Sequence, residues 1–399
     1  MAHTADASVA ALSFKDGDVT VALSPLHHLR LHSHVLKINS ELFEEILTDD
    51  VAATLSNKAK NEGKTRYRVE LEPGSSSLSL TLRQKLDSAG RTVVMDPPQI
   101  YAPPVYANAG VPNPVFGHFQ AIFAVFYGKP FKVKTNELAT LLPDAYNIIG
   151  LVEYLRVKQN ILQPIELGFI DHGQTLYRSI ANQSLQWLDL ACRLRSIIVF
   201  KEAAINVIGQ WNSLDQAAKA SIDSKVRRMC QHKHEKLAAF KRNIEVQLAS
   251  LRINIIEKER MGAPETRKHS HKIIAWMAQE CFISWFCRRL AEPEGAAGPD
   301  GGWSLYKKLA KGGEAYIDNR YQEEFVHLTG KGRVVMIDYL DELKYEAKRV
   351  VKGLMLNKLQ LDVHEDPVPY LTCVTIKAHH CPWVAAEPRQ GSQDHRMSF

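Results

Sequence analysis

The sequence predicts an α+β fold: a short N-terminal sheet capped by helices, then a mainly α-helical C-terminal region. Three observations carry this. The stretch "GDVTVALSPLHHLRLHSHVLKINSELFEEIL" alternates apolar and polar residues and then switches to helical spacing. Helical periodicity runs almost unbroken from Thr175 to about Leu290. Segments rich in Pro, Gly and Ser, "PGSSSLS", "MDPPQIYAPPVYANAGVPNP" and "AEPEGAAGPDGG", punctuate the rest.

Val19, Val21 and Leu23 mark a first strand, and Leu29 and Leu31 repeat the two-residue period beyond Ser24 and Pro25, so a hairpin is expected. Val35, Leu36, Leu42, Phe43, Ile46 and Leu47 then recur at helical spacing, with Asn39 and Ser40 placed to end one helix and cap another. Leu36 and Phe43 are the expected core anchors of that pair, and Glu44 and Glu45 its outward side. "YRVEL" is a third strand, and residues of about 72–115 read as a long surface insertion with at most a short strand at Thr92–Met95. Phe116, Phe119, Ile122, Phe123 and Phe126 stripe a helix that ends at Gly128 and Pro130, and Pro143 is expected to start or kink the next one. Boundaries follow as 12–162 for the N-terminal domain, 163–290 for a helical domain, 291–335 for a loop or linker, 336–385 for a C-terminal helix with its extension, and 386–399 for a disordered tail.

A chain of 399 residues with 45% apolar and 24% charged residues suffices for two or three cores. The net charge of +6 is mild, but 13 Lys or Arg against 5 Glu between Lys225 and Lys272 concentrate a net +8 there. The six cysteines are widely spread and "MAHTADASVAALSF" lacks the pattern of a secretory signal, so free thiols in the cytoplasm or nucleus are expected. "IIAWMAQECFISWF" is shorter than the ~20 residues a membrane span needs, and reads as a core helix holding Cys281 and Cys287.

Asp18 and Val19 at the first strand, His32 after Leu29 and Leu31, the Val35, Leu36, Ser40 and Phe43 series, "FQAIFAVFYGKPF" and "NELATLLPDAYNIIGLVEYL" follow one another in an order that resembles a BTB (POZ) domain of the fungal type, over roughly Asp16 to Lys158. The resemblance implies protein–protein association without catalytic residues, including self-association through the N-terminal strand and helix pair. Asp18, His32 and His34 are the partner-contact residues it suggests, against an ordinary reading of His32 as a satisfied, half-buried histidine and of Asp18 as a turn or cap residue. Ser33 stands where many animal members carry a basic residue near the acidic one at the dimer seam, which speaks against the usual dimer with an exchanged N-terminal strand, and the hydrophobic-x-Glu motif of cullin-binding members is absent just before or within Phe116 to Phe126, which weakens the cullin-adaptor reading.

Chemistry finds little footing. The chain has no G-x-S-x-G elbow, no phosphate-cradling G-x-x-x-x-G-K-[ST] loop and no G-x-G-x-x-G. His234-Glu235 opens like a zincin motif, but Ala238 stands where the second histidine belongs. In "CVTIKAHHC", Cys373, His379, His380 and Cys381 lack the spacing of a zinc module, and a strand with a buried cysteine followed by a polar turn is expected instead. Neither cofactor nor metal is expected, and the protein reads as an intracellular interaction or scaffolding protein rather than an enzyme. Two alternatives stand beside this: a nucleic-acid-associated transcriptional regulator using basic helices at 225–272, and a substrate adaptor of a cullin-type ubiquitin ligase.

Overall fold

Val19, Val21 and Leu23 are buried on one face of strand β1 (Val19–Ser24), and Leu29 and Leu31 on the same face of β2 (His27–Leu31), because the antiparallel register sets Val19 opposite Leu31 and Val21 opposite Leu29. The computed structural model describes residues 12–24, 27–73, 78–101, 112–132, 137–253, 265–292, 295, 298, 300–325, 328 and 330–384. They form two compact units: residues up to Ser179 with Arg193–Ser196, and Ile180–Cys192 with Ile197 onward.

In the first unit β1 also pairs in parallel with β3 (Tyr67–Pro73), placing Tyr67 beside Val19 and Val69 beside Val21. A parallel neighbour requires a crossover. It contains β2 and three short helices, α1 (Ser33–Asn39), α2 (Glu41–Ile46) and α3 (Asn57–Asn61). Asn39 and Ser40 divide the first two as expected. Ser40 sits in extended backbone, its Oγ accepts the Phe43 N–H at 3.2 Å and donates to the Leu155 carbonyl at 2.5 Å. Leu36 and Phe43 are fully buried, and the Phe43 ring lies 5.9 Å from that of Phe123 on α4 (Pro112–Phe126), whose Phe119, Ile122 and Phe126 complete the apolar core.

Two expectations for this unit are corrected. The stretch taken as an insertion carries β4 (Leu78–Leu86) and β5 (Thr92–Tyr101), which extend the sheet to the order β2-β1-β3-β4-β5; residues 74–77 and 102–111 lie outside the described residues. Of the two roles expected for Pro143, starting a new helix is the one corrected: α5 runs from Leu138 to Tyr154 with Pro143 inside it and forgoes one backbone hydrogen bond there. Helix α6 (Leu162–Ile170) follows, and its Gly168 is required: a Cβ there would run into the Phe131 ring and lie 2.9 Å from the Phe131 carbonyl oxygen. Helices α7 (Gln174–Asn182) and α8 (Ser184–Leu194) span the unit boundary.

The second unit is built on α9 (Ile197–Gly209), buried from Val199 to Ile208 except at Lys201. Glu202 and Asn206 lie within that run, 2% and 0% exposed. Helix α10 (Gln216–Ser221) and the 26-residue α11 (Ser224–Ala249) follow, each capped by an aspartate, Asp215 and Asp223. The inner edge of α11 is Val226, Cys230, Leu237, Ile244 and Leu248. Next come α12 (Glu265–Ala291), α13 (Trp303–Lys311), α14 (Asn319–Phe325) and α15 (Gly330–Val351). Residues 291–335 are therefore not only linker: they hold two helices and the start of a third. Cys281 is buried as expected, whereas Cys287 is exposed.

Beyond Val351 the expected helical continuation gives way to an irregular strap with one short turn of 3₁₀ helix, Ala378–His380. Cys373 lies in this irregular backbone and not in the expected strand. The tail from residue 385 lies outside the described residues. Among the described residues no helix is long and apolar enough to cross a membrane.

Candidate interaction surfaces

The three residues expected at a partner contact meet at one corner of the first unit. Asp18, at the foot of β1, accepts the Ser33 N–H on Oδ1 at 2.7 Å and the Ser33 hydroxyl on Oδ2 at 2.6 Å. Ser33 is the first residue of α1, whose preceding residue, His32, provides no side-chain cap, so a carboxylate fifteen residues upstream satisfies an otherwise orphan helical N–H. His32 donates its backbone N–H to the Tyr127 phenol oxygen at 2.8 Å, and its Nδ1 lies 3.1 Å from that oxygen. Its Nε2 lies 3.3 Å from Asp16. Phe14 stacks on Tyr127 with ring centroids 4.5 Å apart, closing the corner, and burial raises the Tyr127 pKa. Asp18 and His32 thus have their polar atoms engaged internally; His34 is exposed, its ring 5.5 Å from that of His32.

In the second unit α12 and α15 pack through Ala275, Ala278, Cys281, Phe282, Trp285 and Phe286 on one side and Met336, Tyr339, Leu340, Leu343 and Ala347 on the other. Both sets recur at three and four residues, the spacing of one helix face. Between α13 and α14 the chain turns at Ile317, a β-branched residue with φ of 47°. That region is unfavourable for such a side chain and persists only where its surroundings hold it. Here the Ile317 carbonyl accepts from Lys344 Nζ at 3.1 Å and from Gln322 Nε2 at 3.0 Å, both buried. Burial lowers the Lys344 pKa, partly offset by Asp341.

The turn lays Tyr316 flat on Trp285, 4.5 Å between centroids at 25°. Above them opens a cleft of about 280 Å³ lined also by Arg289, Lys308, Asp318, Arg320 and Tyr321. The Tyr316 hydroxyl and Gln322 Oε1 are buried without a hydrogen-bond partner. Arg288 donates to the Tyr321 hydroxyl at 2.5 Å on the outer side. An aromatic floor ringed by charged side chains suits recognition of another polypeptide, where aromatic and arginine side chains contribute most.

None of these cleft residues was singled out by sequence. The available signals were "WSLYKKLAK", with Trp303, Tyr306 and Leu309 at three-residue spacing, and two aspartates, Asp300 and Asp318, which accept the Ser304 and Tyr321 N–H groups at the starts of α13 and α14. At the C-terminus, His380 Nδ1 accepts the Lys377 N–H at 2.8 Å, and Cys381 is buried. Among the described residues no group of three or more His, Cys, Asp or Glu is placed to hold a metal ion.

Residues 254–353 match the family model of the FF domain, fungal type. The interval takes in α12 to α15 and the whole cleft. FF domains are protein-interaction modules. No curated protein and no solved structure matches the chain. The BTB resemblance is overturned, since the matching model is of another family at the other end of the chain and no BTB family is detected. Its physical basis was too general: a hairpin, a split helix pair and an aromatic helix follow from local periodicity and capping, and their order alone does not specify a family.

Proposed function

We propose that this is an interaction or scaffolding protein, without enzymatic activity of its own, that recognises a polypeptide partner through the α12 to α15 module. The observation that carries the reading is the coincidence of the FF-domain match with the Trp285–Tyr316 cleft. An intracellular setting belongs to it, supported by six cysteines that are all free thiols. The regulator reading gains no comparable support. On α11, Lys233 donates to the Thr375 carbonyl at 2.9 Å and is turned inward, while Lys225, Arg228, Lys236 and Arg242 are exposed among acidic and apolar neighbours with no base-stacking aromatic array beside them in the sequence.

The test is affinity capture with mass spectrometry on the full chain and on an Arg289→Glu, Arg320→Glu double variant, both substitutions being at exposed positions. Specific partners lost in the double variant support the reading. An identical set from both chains removes the cleft as the recognition surface.

A further inference from the structure

A second cleft, of about 330 Å³, lies outside the FF-matched residues, beside α10 and the start of α11. Trp211, Lys219, Arg227, Gln216 and Gln231 line it, and among the described residues no carboxylate does. Both cations are half-buried, and among the described residues neither pairs with a carboxylate. The Lys219 ammonium lies 5.5 Å from the Trp211 ring centroid, and Arg227 reaches only the Ala220 carbonyl, at 3.5 Å. Glu235 accepts from Gln231 Nε2 at 3.1 Å and stands outside the lining. Asp215 and Asp223 are turned to their own helix starts, accepting the Ala218, Lys225 and Val226 N–H groups. Two cations lining one concave, partly desolvated cleft set up a positive potential that an anion relieves. His234, its ring 6.3 Å from that of Trp211, lies beside the cleft; burial lowers its pKa, the Ile208 carbonyl and Glu235 oppose this, and Lys241 and Lys219 add to it.

We propose that this cleft binds a phosphate monoester dianion. A doubly charged tetrahedral group with several acceptor oxygens uses one guanidinium, one ammonium and the Gln216 amide together, whereas a singly charged carboxylate leaves one cation uncompensated. The concave volume accommodates one headgroup rather than a run of backbone phosphates, which favours a small-molecule or side-chain monoester over nucleic acid. The site is independent of the α12 to α15 module, so it stands or fails separately from the function proposed above.

The experiment follows the Trp211 indole N–H resonance of the isotope-labelled full chain while inorganic phosphate replaces chloride at constant ionic strength. A saturable shift is expected, with the apparent Kd raised at least about ten-fold by Lys219→Gln or Arg227→Gln and unchanged by Lys225→Gln or Arg228→Gln on exposed parts of the same helix. O-phosphoserine and glycerol 3-phosphate, titrated in parallel, distinguish a side-chain source from a small-molecule one. A shift that does not saturate, an equal response to added chloride, or equal weakening by the exposed-site variants overturns the proposal.

Discussion

Glu202 Oε1 accepts the Leu361 N–H at 3.1 Å, and Oε2 accepts the Gln360 N–H at 2.8 Å, so a carboxylate buried in α9 holds the irregular strap that follows α15. Four residues on, Asn206 Oδ1 accepts the Tyr370 hydroxyl at 2.6 Å. A segment with no helix or strand ladder must satisfy its buried N–H groups in some other way, and here side chains of α9 do it.

Glu202→Ala leaves both N–H groups buried and unpaired, and is expected to destabilise the second unit by about 2–4 kcal/mol. Glu202→Gln retains one acceptor and should cost less. The pH dependence has a definite sign. Burial raises the Glu202 pKa above 4.5, and the two N–H bonds only partly oppose it. The protonated form is thus favoured by folding; that contribution is fully present below the unfolded value and is lost as pH rises through the folded one. Denaturant titrations over a pH series should show wild type losing stability relative to Glu202→Gln as pH rises across that window.

Gly209→Ala is expected to loosen the strap. A Cβ at this position would lie 2.5 Å from Tyr370 Cδ2 and 2.8 Å from the Leu371 carbonyl oxygen. The second contact is with backbone, so the strap must move, at about 1–3 kcal/mol. Hydrogen exchange over residues 357–376 should accelerate while exchange in α1 and α2 is unchanged.

Asp18→Ala removes the side-chain acceptor at the start of α1 and should cost about 1–2 kcal/mol, read as faster amide exchange in Ser33–Asn39. Ser33→Ala, which keeps the backbone N–H bond and loses only the hydroxyl bond, should cost less. The reverse ranking would show that the hydroxyl, and not the cap, is the principal tie.

Leu36→Ala or Phe43→Ala should each destabilise the first unit by about 2–5 kcal/mol, since both side chains are fully buried. Glu44→Ala and Glu45→Ala remove the exposed pairs with Lys158 at 3.0 Å and Arg156 at 2.7 Å, and should each change stability by about 0.5 kcal/mol or less. Chemical denaturation of the four variants checks the contrast.

The parts of the fold legible in the sequence are those set by local rules. Alternation at Val19, Val21 and Leu23 gave the hairpin face, and Ser40 announced the helix break because a serine hydroxyl caps where the backbone turns extended. β4 and β5 are hidden by the turn residues of "PGSSSLS", which runs into β4, and of "MDPPQIY", which lies within β5 itself, since these outweigh a strand pattern. Helices α13 and α14 are short, and the glycine run ahead of them dominated the reading of 291–335. The Trp285–Tyr316 stack was beyond reach for a different reason. It joins residues from separate elements across a turn whose positive φ at Ile317 depends on Lys344 and Gln322, and no periodicity signals such a contact.

The central claim, recognition of a polypeptide by the α12 to α15 module, is tested most directly by hydrogen exchange on the full chain with and without a captured partner. Protection concentrated around Arg289, Lys308 and the start of α14 at Asp318–Tyr321 is the predicted result. Protection confined to the corner of Asp18, His32 and His34, with the cleft unchanged, would contradict it.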